Sequence, residues 1–262
     1  AMFKIKFSQF ASWSTTIGYA NQYCLHFSMR GGQALDKTYP FSQGWGAGPV
    51  AENLWNDWVA YDKSVNGGDG ISNFKDPRIK ASICHIPEEL PNYTKGGWSD
   101  YVQETDYFEK KQASISCPKS SGSGYHYSFE CLMYSSSEDG SGWGSGVYDN
   151  SQLDNFHDLV LIRFADVLLM QSELEGSVTG INKVRARAGL SPIAAYSLSA
   201  LQNERRWELC FEGIRWNDMR RWGDTYCETA LQEQIGTNCY HAGSKDTNTP
   251  HNGGYVARYK AT

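Results

Sequence analysis

Apolar residues in the second half of the chain recur with helical spacing and predict three consecutive helices within residues 158–223. The first is expected over 158–175, where Asp158 is a suitable N-cap and Gly176 a natural end. Apolar side chains occupy nearly every face of this stretch, interrupted by one arginine and one aspartate. A helix of that kind lies buried between neighbouring elements, so we expect it in the interior.

The second predicted helix covers 178–188 and has an apolar side formed by Ile181 and Val184. Basic residues, including Arg185, are expected on its outer side. Those in the last turn interact favourably with the negative end of the helix dipole. Gly189 follows at the position where many helices end in a left-handed residue. The pattern therefore predicts an amphipathic helix with a defined end.

The third predicted helix runs from 199 to 222 and begins at a capping box, in which Ser199 caps backbone donors and Gln202 reaches back. Its apolar stripe consists of Leu201, Trp207, Cys210, Phe211 and Ile214. Opposite charges three or four residues apart predict ion pairs along the helix, such as those of Glu208 and Glu212 with Arg205 and Arg215. We interpret the charges as a structural network; the alternatives are a protein-docking face and a basic ligand site.

The first half of the chain has a weaker pattern. Alternation over 3–8 predicts a short strand, and 51–64 is expected to be helical with its aromatic residues on one side. Alternating apolar residues over 79–83 predict a further strand. Residues 11–49 show little periodicity and contain several glycines, so we expect a loop there.

Two Ser/Gly-rich stretches, 116–124 and 135–146, bracket a strand-like segment at 125–134. Loops of that length inside a compact protein are usually functional or disordered. A last helical piece is expected over 228–234, before a loose tail. Since the clearest periodicity is helical, the sequence predicts a mainly α protein with long loops and a few short strands.

Aromatic residues make up 14% of the 262 residues, including 9 Trp and 16 Tyr. Planar rings stack on the C–H faces of sugars, so the excess favours a carbohydrate-binding protein, although packing of the core accounts for many rings. The net charge of −5 disfavours a nucleic-acid partner. The longest apolar run is too short to span a bilayer.

Seven cysteines form no C-x-x-C pair and no grouping typical of zinc. Cys210 lies on the apolar side of the third helix, where we expect a buried free thiol. If the protein lies outside the cell, the spacing allows a disulfide between Cys117 and Cys131 or between Cys227 and Cys239.

Two Gly-Trp-Gly-x-Gly loops, at 44–48 and 142–146, are the most suggestive local features. Glycine on both sides leaves an indole ring uncovered, as stacking on a sugar requires. A third tryptophan follows a Gly-Gly pair, and tyrosines beside the loops offer hydroxyl groups. The candidate glycan-binding residues are Trp45, Trp98, Tyr134, Trp143 and Tyr148. The alternative is that these rings turn inward. Neither of the two glycine-rich loops has the sequence pattern of a phosphate-binding loop.

Catalytic and metal-binding patterns are weak. Adjacent acids such as Glu88 and Glu89 are available for glycoside hydrolysis, but neighbouring acids in loops are commonly solvated. The motifs G-x-S-x-G and H-E-x-x-H do not occur, and the six histidines are scattered. Asp139 and Asp149 lack the regular spacing of a calcium loop. We therefore expect a protein without catalytic activity, cofactor or metal.

Three ordered segments resemble successive motifs of the SusD/RagB family: IRFADVLLM at 162–170, INKVRARAGL at 181–190 and ERRWELCFEGIRWNDMRRWG at 204–223. Weaker resemblance covers 2–7 and 254–260. The resemblance implies a tetratricopeptide-like helical scaffold of the α/α superhelix type. It also implies non-catalytic binding of glycans or other nutrients.

Members of that family are surface lipoproteins of Bacteroidetes-type bacteria that work beside an outer-membrane transporter. The resemblance thus implies an outward-facing, lipid-anchored protein at the outer membrane. The partners that it implies are an oligosaccharide or polysaccharide and a SusC-like TonB-dependent transporter. We expect the family's lipidation cysteine, N-terminal repeat helices and C-terminal tail to lie outside this sequence. We interpret it as an excised C-terminal region.

We therefore expect a single SusD/RagB-like region over 1–262, with a loop-rich part at 1–157, a helical core at 158–223 and a helix and tail at 224–262. Capture of glycans for uptake is the main hypothesis. The alternative is a helical protein–protein interaction module that docks on the transporter and binds no sugar.

Overall fold

Helices are the main secondary structure in the part of the chain that this computed structural model describes, which comprises residues 1–7, 21–28, 44–91, 103–113, 117–118, 125–126, 158–234 and 240–241. The helices are α1 (Gln22–Phe27), α2 (Glu52–Tyr61), α3 (Arg78–Ser82), α4 (Ile86–Glu89), α5 (Phe164–Glu175), α6 (Thr179–Arg187), α7 (Leu198–Glu208), α8 (Arg215–Arg221) and α9 (Asp224–Gln232). A π-helical turn, Asp62–Asn66, continues α2.

The strands in the same residues are short: β1 (Phe3–Ile5), β2 (Ile83–His85), β3 (Gln103–Glu104), β4 (Tyr107–Glu109), β5 (Cys117–Pro118), β6 (Tyr125–His126), β7 (Leu159–Ile162) and β8 (Tyr240–His241). They form antiparallel pairs, β1 with β7, β2 with β4, β3 with β8 and β5 with β6. The predicted fold class, mainly α with a few short strands, is confirmed.

The first predicted helix starts later than expected, because its first residues form strand β7. This strand pairs with β1, which places Ile5 opposite Leu159. Helix α5 begins only at Phe164, and Asp158 is not its N-cap; the Asp158 carboxylate pairs with Lys4 instead. A short apolar run suits a strand or a helix equally well, and here pairing with a distant strand decides between them.

The second predicted helix is confirmed as α6, and Gly189 is left-handed with φ of 74°. The expectation that Arg185 points outward is wrong, since this residue is 1% exposed. Its guanidinium donates to the Ser191 carbonyl and the Asn66 amide oxygen and pairs with Glu204. These partners compensate the cost of burying its charge.

The third predicted helix is interrupted. Helix α7 has Ser197 as its N-cap, in place of the expected Ser199, and the Ser197 hydroxyl accepts the Ala200 N–H at 3.0 Å. It ends at Glu208, and residues 209–214 turn the chain before α8. Phe211 and Gly213 are left-handed in this turn, with φ of 63° and 75°, and a left-handed residue ends a helix.

In the first half, the predicted strand at 3–8 is confirmed in part as β1, and the helix expected at 51–64 is confirmed as α2. The strand expected at 79–83 is wrong, because most of this stretch is helix α3 and only its last residue belongs to β2. Helix α9 confirms the last helical piece, although it starts earlier.

The expected loop at 11–49 contains helix α1, which the sequence did not predict. The side chain of Asn21 caps it by accepting the N–H groups of Tyr23 and Cys24. Of the strand-like segment at 125–134, β6 covers the first two residues, and 127–134 lie outside the described residues. The three-part division of the chain stays a prediction.

Helix α7 separates two hydrophobic clusters. On one side it packs with α5 and α6 in a cluster of Ala165, Leu168, Leu169, Ile181, Val184, Leu201 and Leu209. On the other it packs with α2, α3 and β2 in a cluster of Val50, Trp55, Trp58, Ile79, Ile83, Trp207 and Cys210. The rings of Trp58 and Trp207 stack with centroids 5.2 Å apart. The first half of the chain is therefore bound to the helical core through α7.

The four cysteines whose side chains the structure describes lie in the interior. Cys210 is a buried free thiol, as predicted, and so are Cys24, Cys84 and Cys227. The possible disulfide of Cys227 with Cys239 is therefore wrong. The pairing of Cys117 with Cys131 stays a prediction, because Cys131 lies outside the described residues.

Helices α5 and α6 touch backbone to backbone at Gly180. A Cβ at this position would lie 1.8 Å from the Leu168 carbonyl oxygen and 2.8 Å from the Ser172 hydroxyl. The same hydroxyl accepts the N–H of Ile181 at 2.9 Å. Only glycine permits this approach, so the contact fixes the spacing of the two helices.

We predict that Gly180→Ala lowers the free energy of unfolding by at least ~2 kcal/mol, because α5 and α6 must separate to admit the methyl group. Chemical denaturation measures this difference. Lys183→Ala, at an exposed position of the same helix, is the control and is expected to change stability by less than about 0.5 kcal/mol. Equal stability of Gly180→Ala and the wild type would contradict the contact.

Candidate functional site

Charged side chains converge on two glutamates of α7. Arg78 holds Asp76 through two hydrogen bonds and donates to Glu204 at 2.7 Å and to Glu208 at 2.9 Å. Arg187 of α6 donates to the same Glu208 carboxylate at 2.6 Å. Because these carboxylates are buried, each is stabilised by guanidinium groups from other elements.

A second part of this network lies at the end of α7. Arg163 donates to the carboxylates of Glu208 and Glu212, and Lys111 donates to the Glu212 carboxylate at 2.8 Å. The expected pairs of Glu208 and Glu212 with Arg205 and Arg215 are wrong, although Arg221 and Asp218, three residues apart on α8, do pair. Arg205 instead pairs with Asp166 and Asp218, so partners come from distant parts of the chain. The interpretation of these charges as a structural network is confirmed.

We predict that Glu208→Gln lowers the free energy of unfolding at pH 7 by about 3 kcal/mol, since it leaves buried guanidinium groups without their counter-charge. Burial opposes ionisation of Glu208, but Arg163 and Arg78 hold its pKa below the usual value. The stabilisation is thus present above the ordinary glutamate pKa and is lost as the pH falls through the lowered pKa of the folded state. Denaturation at a series of pH values measures it.

Glu233→Gln, at an exposed site, is the control for this prediction and is expected to leave the free energy of unfolding unchanged. A Glu208→Gln protein as stable as this control at pH 7 would refute the role of Glu208.

Trp45 is the predicted binding residue that the structure describes. Its side chain is 39% exposed, and its ring meets the His26 ring edge to face, with centroids 4.6 Å apart. The N–H groups of Gly46 and Ala47 donate to the carbonyls of Ser28 and His26, which ties the loop to the end of α1. The indole ring is therefore held at the surface by a defined backbone.

Helix α1, which carries His26, also carries the rings of Tyr23 and Phe27. Tyr23 is also 39% exposed, and its ring lies 5.8 Å from that of Phe27, one turn later. We call the side chains of Trp45, His26, Tyr23 and Phe27 the Trp45 surface. It is built from the residues that the sequence assigned to a loop, and α1 is what arranges them.

The segment after Trp45 runs along strand β4. The Gly48 carbonyl accepts the N–H of Glu109, and the N–H of Val50 donates to the Tyr107 carbonyl, both at 2.9 Å. A Cβ on Gly48 would lie 2.5 Å from the Phe27 carbonyl oxygen and 2.8 Å from the Phe108 ring. Glycine thus permits α1 to approach β4 and places Glu109 near the Trp45 surface.

Glu109 lines a pocket of about 200 Å³, which we call the Glu109 pocket. The other described residues that line it are Tyr23, Phe27, Ala47, Gly48, Pro49, Phe211 and Gly213. The Glu109 side chain is 2% exposed; its Oε2 accepts the Gln112 N–H, and its Oε1 has no hydrogen-bond partner. Burial raises the pKa of Glu109 to about 8, so the carboxyl group is mostly protonated at neutral pH.

We predict that Glu109→Gln becomes increasingly more stable than the wild type as the pH rises from 5 to about 8.5. The folded protein holds a proton on Glu109 that the unfolded chain releases near the ordinary pKa of 4.5, so the wild type loses stability over this range. The loss is up to about 5 kcal/mol over the whole range. Denaturation at several pH values measures it, with Glu233→Gln as the control; a constant difference would contradict the raised pKa.

Two other pockets lie beside α7, and charges that line them are already paired. One, of about 210 Å³, is lined in part by Arg205 and Arg206, which pair with Asp218 and Asp57. The other, of about 360 Å³, is lined by members of the charged network around Glu208. The charges named here serve the fold; Asn53, which lines the first of these pockets, shares with Glu109 a buried side-chain oxygen without a hydrogen-bond partner.

The remaining predicted residues, Trp98, Tyr134, Trp143 and Tyr148, lie outside the described residues. Tyr23, Glu109 and Phe211 were not predicted as site residues. The Asn21 cap signalled a helix start before Tyr23, but no sequence pattern distinguishes Glu109 from an exposed acid. Across the described residues, no group of three or more His, Cys, Asp or Glu side chains is placed to hold a metal ion. Nor is any helix there long and apolar enough to cross a bilayer.

Comparison with solved structures shows a shared fold. The chain is similar to a laminarin-binding SusD-like protein, with 24% identity and a TM-score of 0.56, over 88% of this chain and 42% of that protein. It is also similar to surface glycan-binding protein A from Bacteroides thetaiotaomicron in complex with laminarihexaose, with 18% identity and a TM-score of 0.55, over 90% and 44% of the two chains.

The chain thus spans less than half the length of these solved structures. These likenesses confirm the predicted tetratricopeptide-like scaffold. No curated protein matches the chain. The SusD family model matches residues 11–260, which is nearly the whole chain. The family resemblance of the three helical motifs is therefore confirmed, and the chain belongs to the SusD family.

Proposed function

We propose that this protein binds glycans at the bacterial surface without transforming them, and that the Trp45 surface contacts the sugar. The observation that carries the proposal is the exposed indole ring of Trp45, fixed by His26 and by two backbone hydrogen bonds to the end of α1. Large rings are seldom left exposed without a use. A ring that is already fixed loses little conformational freedom when a sugar stacks on it.

The chemistry of the surface suits a sugar. Trp45 and Tyr23 offer ring faces for the C–H groups of a pyranose, and the Tyr23 hydroxyl is a hydrogen-bond donor and acceptor for sugar hydroxyls. The relatives described above bind laminarin and laminarihexaose, which makes laminarihexaose the first ligand to try. Trp98, Tyr134, Trp143 and Tyr148 remain proposed as further contacts.

Membership of the SusD family supports the rest of the proposal. The protein acts at the outer membrane, facing outward and held by a lipid anchor in its full-length form. It passes an oligosaccharide to a SusC-like TonB-dependent transporter.

We predict that Trp45→Ala weakens the binding of laminarihexaose, or of another oligosaccharide found on a panel of neutral hexasaccharides, by about tenfold or more. Isothermal calorimetry measures the dissociation constant. Trp216→Ala is the matched control, since Trp216 is 44% exposed on α8 and does not belong to the Trp45 surface. Equal binding by both variants would refute the role of Trp45.

Exposed apolar residues favour a second candidate, a module that docks on the transporter and binds no sugar. Leu174 is 88% exposed and Phe164 61% exposed, both on α5, and such residues on a surface mark protein contacts. A pull-down with the transporter separates the two candidates. Retention of the transporter together with failure of every glycan would favour the docking module.

A further inference from the structure

The Glu109 pocket opens beside the Trp45 surface and shares the residues Tyr23 and Phe27 with it. Its wall combines residues of α1, the segment 47–49, β4 and the turn between α7 and α8. Ala47 is exposed and lines the pocket, and its N–H is one of the two that fix the Trp45 loop. Ala47 lies two positions after Trp45, so the same short loop carries the exposed indole ring and part of the pocket wall.

The polar content of this pocket is unusual. Glu109 Oε1 is buried without a hydrogen-bond partner, whereas nearly all buried polar atoms in folded proteins have one. The other oxygen, Oε2, accepts the Gln112 N–H and so serves the fold, whereas Oε1 has no such role. An unpaired carboxyl oxygen on a residue that lines a cavity indicates that a bound ligand provides the missing hydrogen-bond partner.

The backbone at the pocket is a second, independent sign. Phe211, which lines the pocket, is left-handed with φ of 63°, a strained conformation for a residue with a side chain. The Gln112 side chain donates to the Phe211 carbonyl, and Lys111 donates to the Glu208 carbonyl, so the segment after Glu109 is tied to this turn. Strain of this kind is concentrated at binding sites, where surrounding contacts hold it.

We propose that the Glu109 pocket is a subsite that takes one uncharged sugar ring, or one substituent of it, with the Glu109 carboxyl group as its polar anchor. The inference rests on the proposed function, because the rest of the glycan lies on the Trp45 surface. A volume of about 200 Å³ is below that of a pocket for a larger ligand, so it fits one group.

The subsite selects against acidic sugars. Phe27, Phe211 and Pro49 supply apolar walls, and Glu109 is the ionisable carboxyl group among the described lining residues, none of which is Lys, Arg or His. A uronate or sulfate in this pocket would lack a counter-charge and would face a carboxyl group, which is costly in an apolar cavity. A neutral hydroxyl or hydroxymethyl group forms a hydrogen bond with Glu109 and leaves no charge unpaired.

The test uses calorimetry with laminarihexaose, maltohexaose, cellohexaose and xylohexaose as neutral probes and hexagalacturonate as the acidic probe. Ala47→Leu places a larger side chain at the pocket, and Glu109→Leu removes the anchor. Ala186→Leu, at an exposed position of α6, is the matched control for the first change. Thermal melting verifies that each variant is folded, since Glu109→Leu also removes the acceptor of the Gln112 N–H.

We expect at least one neutral hexasaccharide to bind and hexagalacturonate to fail. Ala47→Leu and Glu109→Leu should each raise the dissociation constant about fivefold or more, and Ala186→Leu should leave it unchanged. Loss of binding in Trp45→Ala with unchanged binding in both pocket variants overturns the subsite alone. Tighter binding of hexagalacturonate than of every neutral probe also overturns it.

The outcomes for the two proposals are distinct. Weaker binding in the pocket variants with unchanged binding in Trp45→Ala supports the subsite and overturns the role of the Trp45 surface. Failure of every probe to bind the wild-type protein overturns the proposed function and the subsite together.

Discussion

The structure depends on the compensation of charge around two buried carboxylates of α7. Arg78 comes from α3, Arg163 from the junction of β7 and α5, and Arg187 from α6. A buried carboxylate without these partners would cost several kcal/mol, so the elements that carry them cannot move independently. The helices are thus fixed by apolar packing on two sides of α7 and by charge at its carboxyl end.

The candidate site is positioned by the same constraint. Lys111 links the segment after β4 to Glu208 and Glu212, and Gln112 links it to Phe211. Glu109 precedes these residues and is aligned by Gly48, which follows the Trp45 loop. The network therefore extends, through short backbone connections, from the core of the family fold to the surface where a ligand is proposed to bind.

The sequence predicted the parts of the fold that depend on local periodicity. Helices α2 and α6 were correct because apolar spacing and end signals agree there, as with Gly189. Sequence-based prediction failed where contacts between distant residues decide the structure. Pairing with β1 makes the start of the first predicted helix a strand. Arg185 is buried because it pairs with Glu204 of another helix. Trp45 was found from its glycine neighbours, whereas Glu109 became a candidate only through burial and an absent partner, which no local pattern encodes.

The buried thiols have a consequence for a protein proposed to face an oxidising medium. Burial raises the pKa of Cys84 to about 12 and that of Cys210 above its usual value, so the reactive thiolate is scarce at both. The four cysteines whose side chains are described lie in different places: Cys24 on α1, Cys84 on β2, Cys210 in the cluster with Trp58 and Trp207, and Cys227 on α9, where it packs with Met219 of α8. Alkylation at each sulfur thus reports the transient opening of its own neighbourhood, so cysteine labelling can rank the parts of the molecule by local stability.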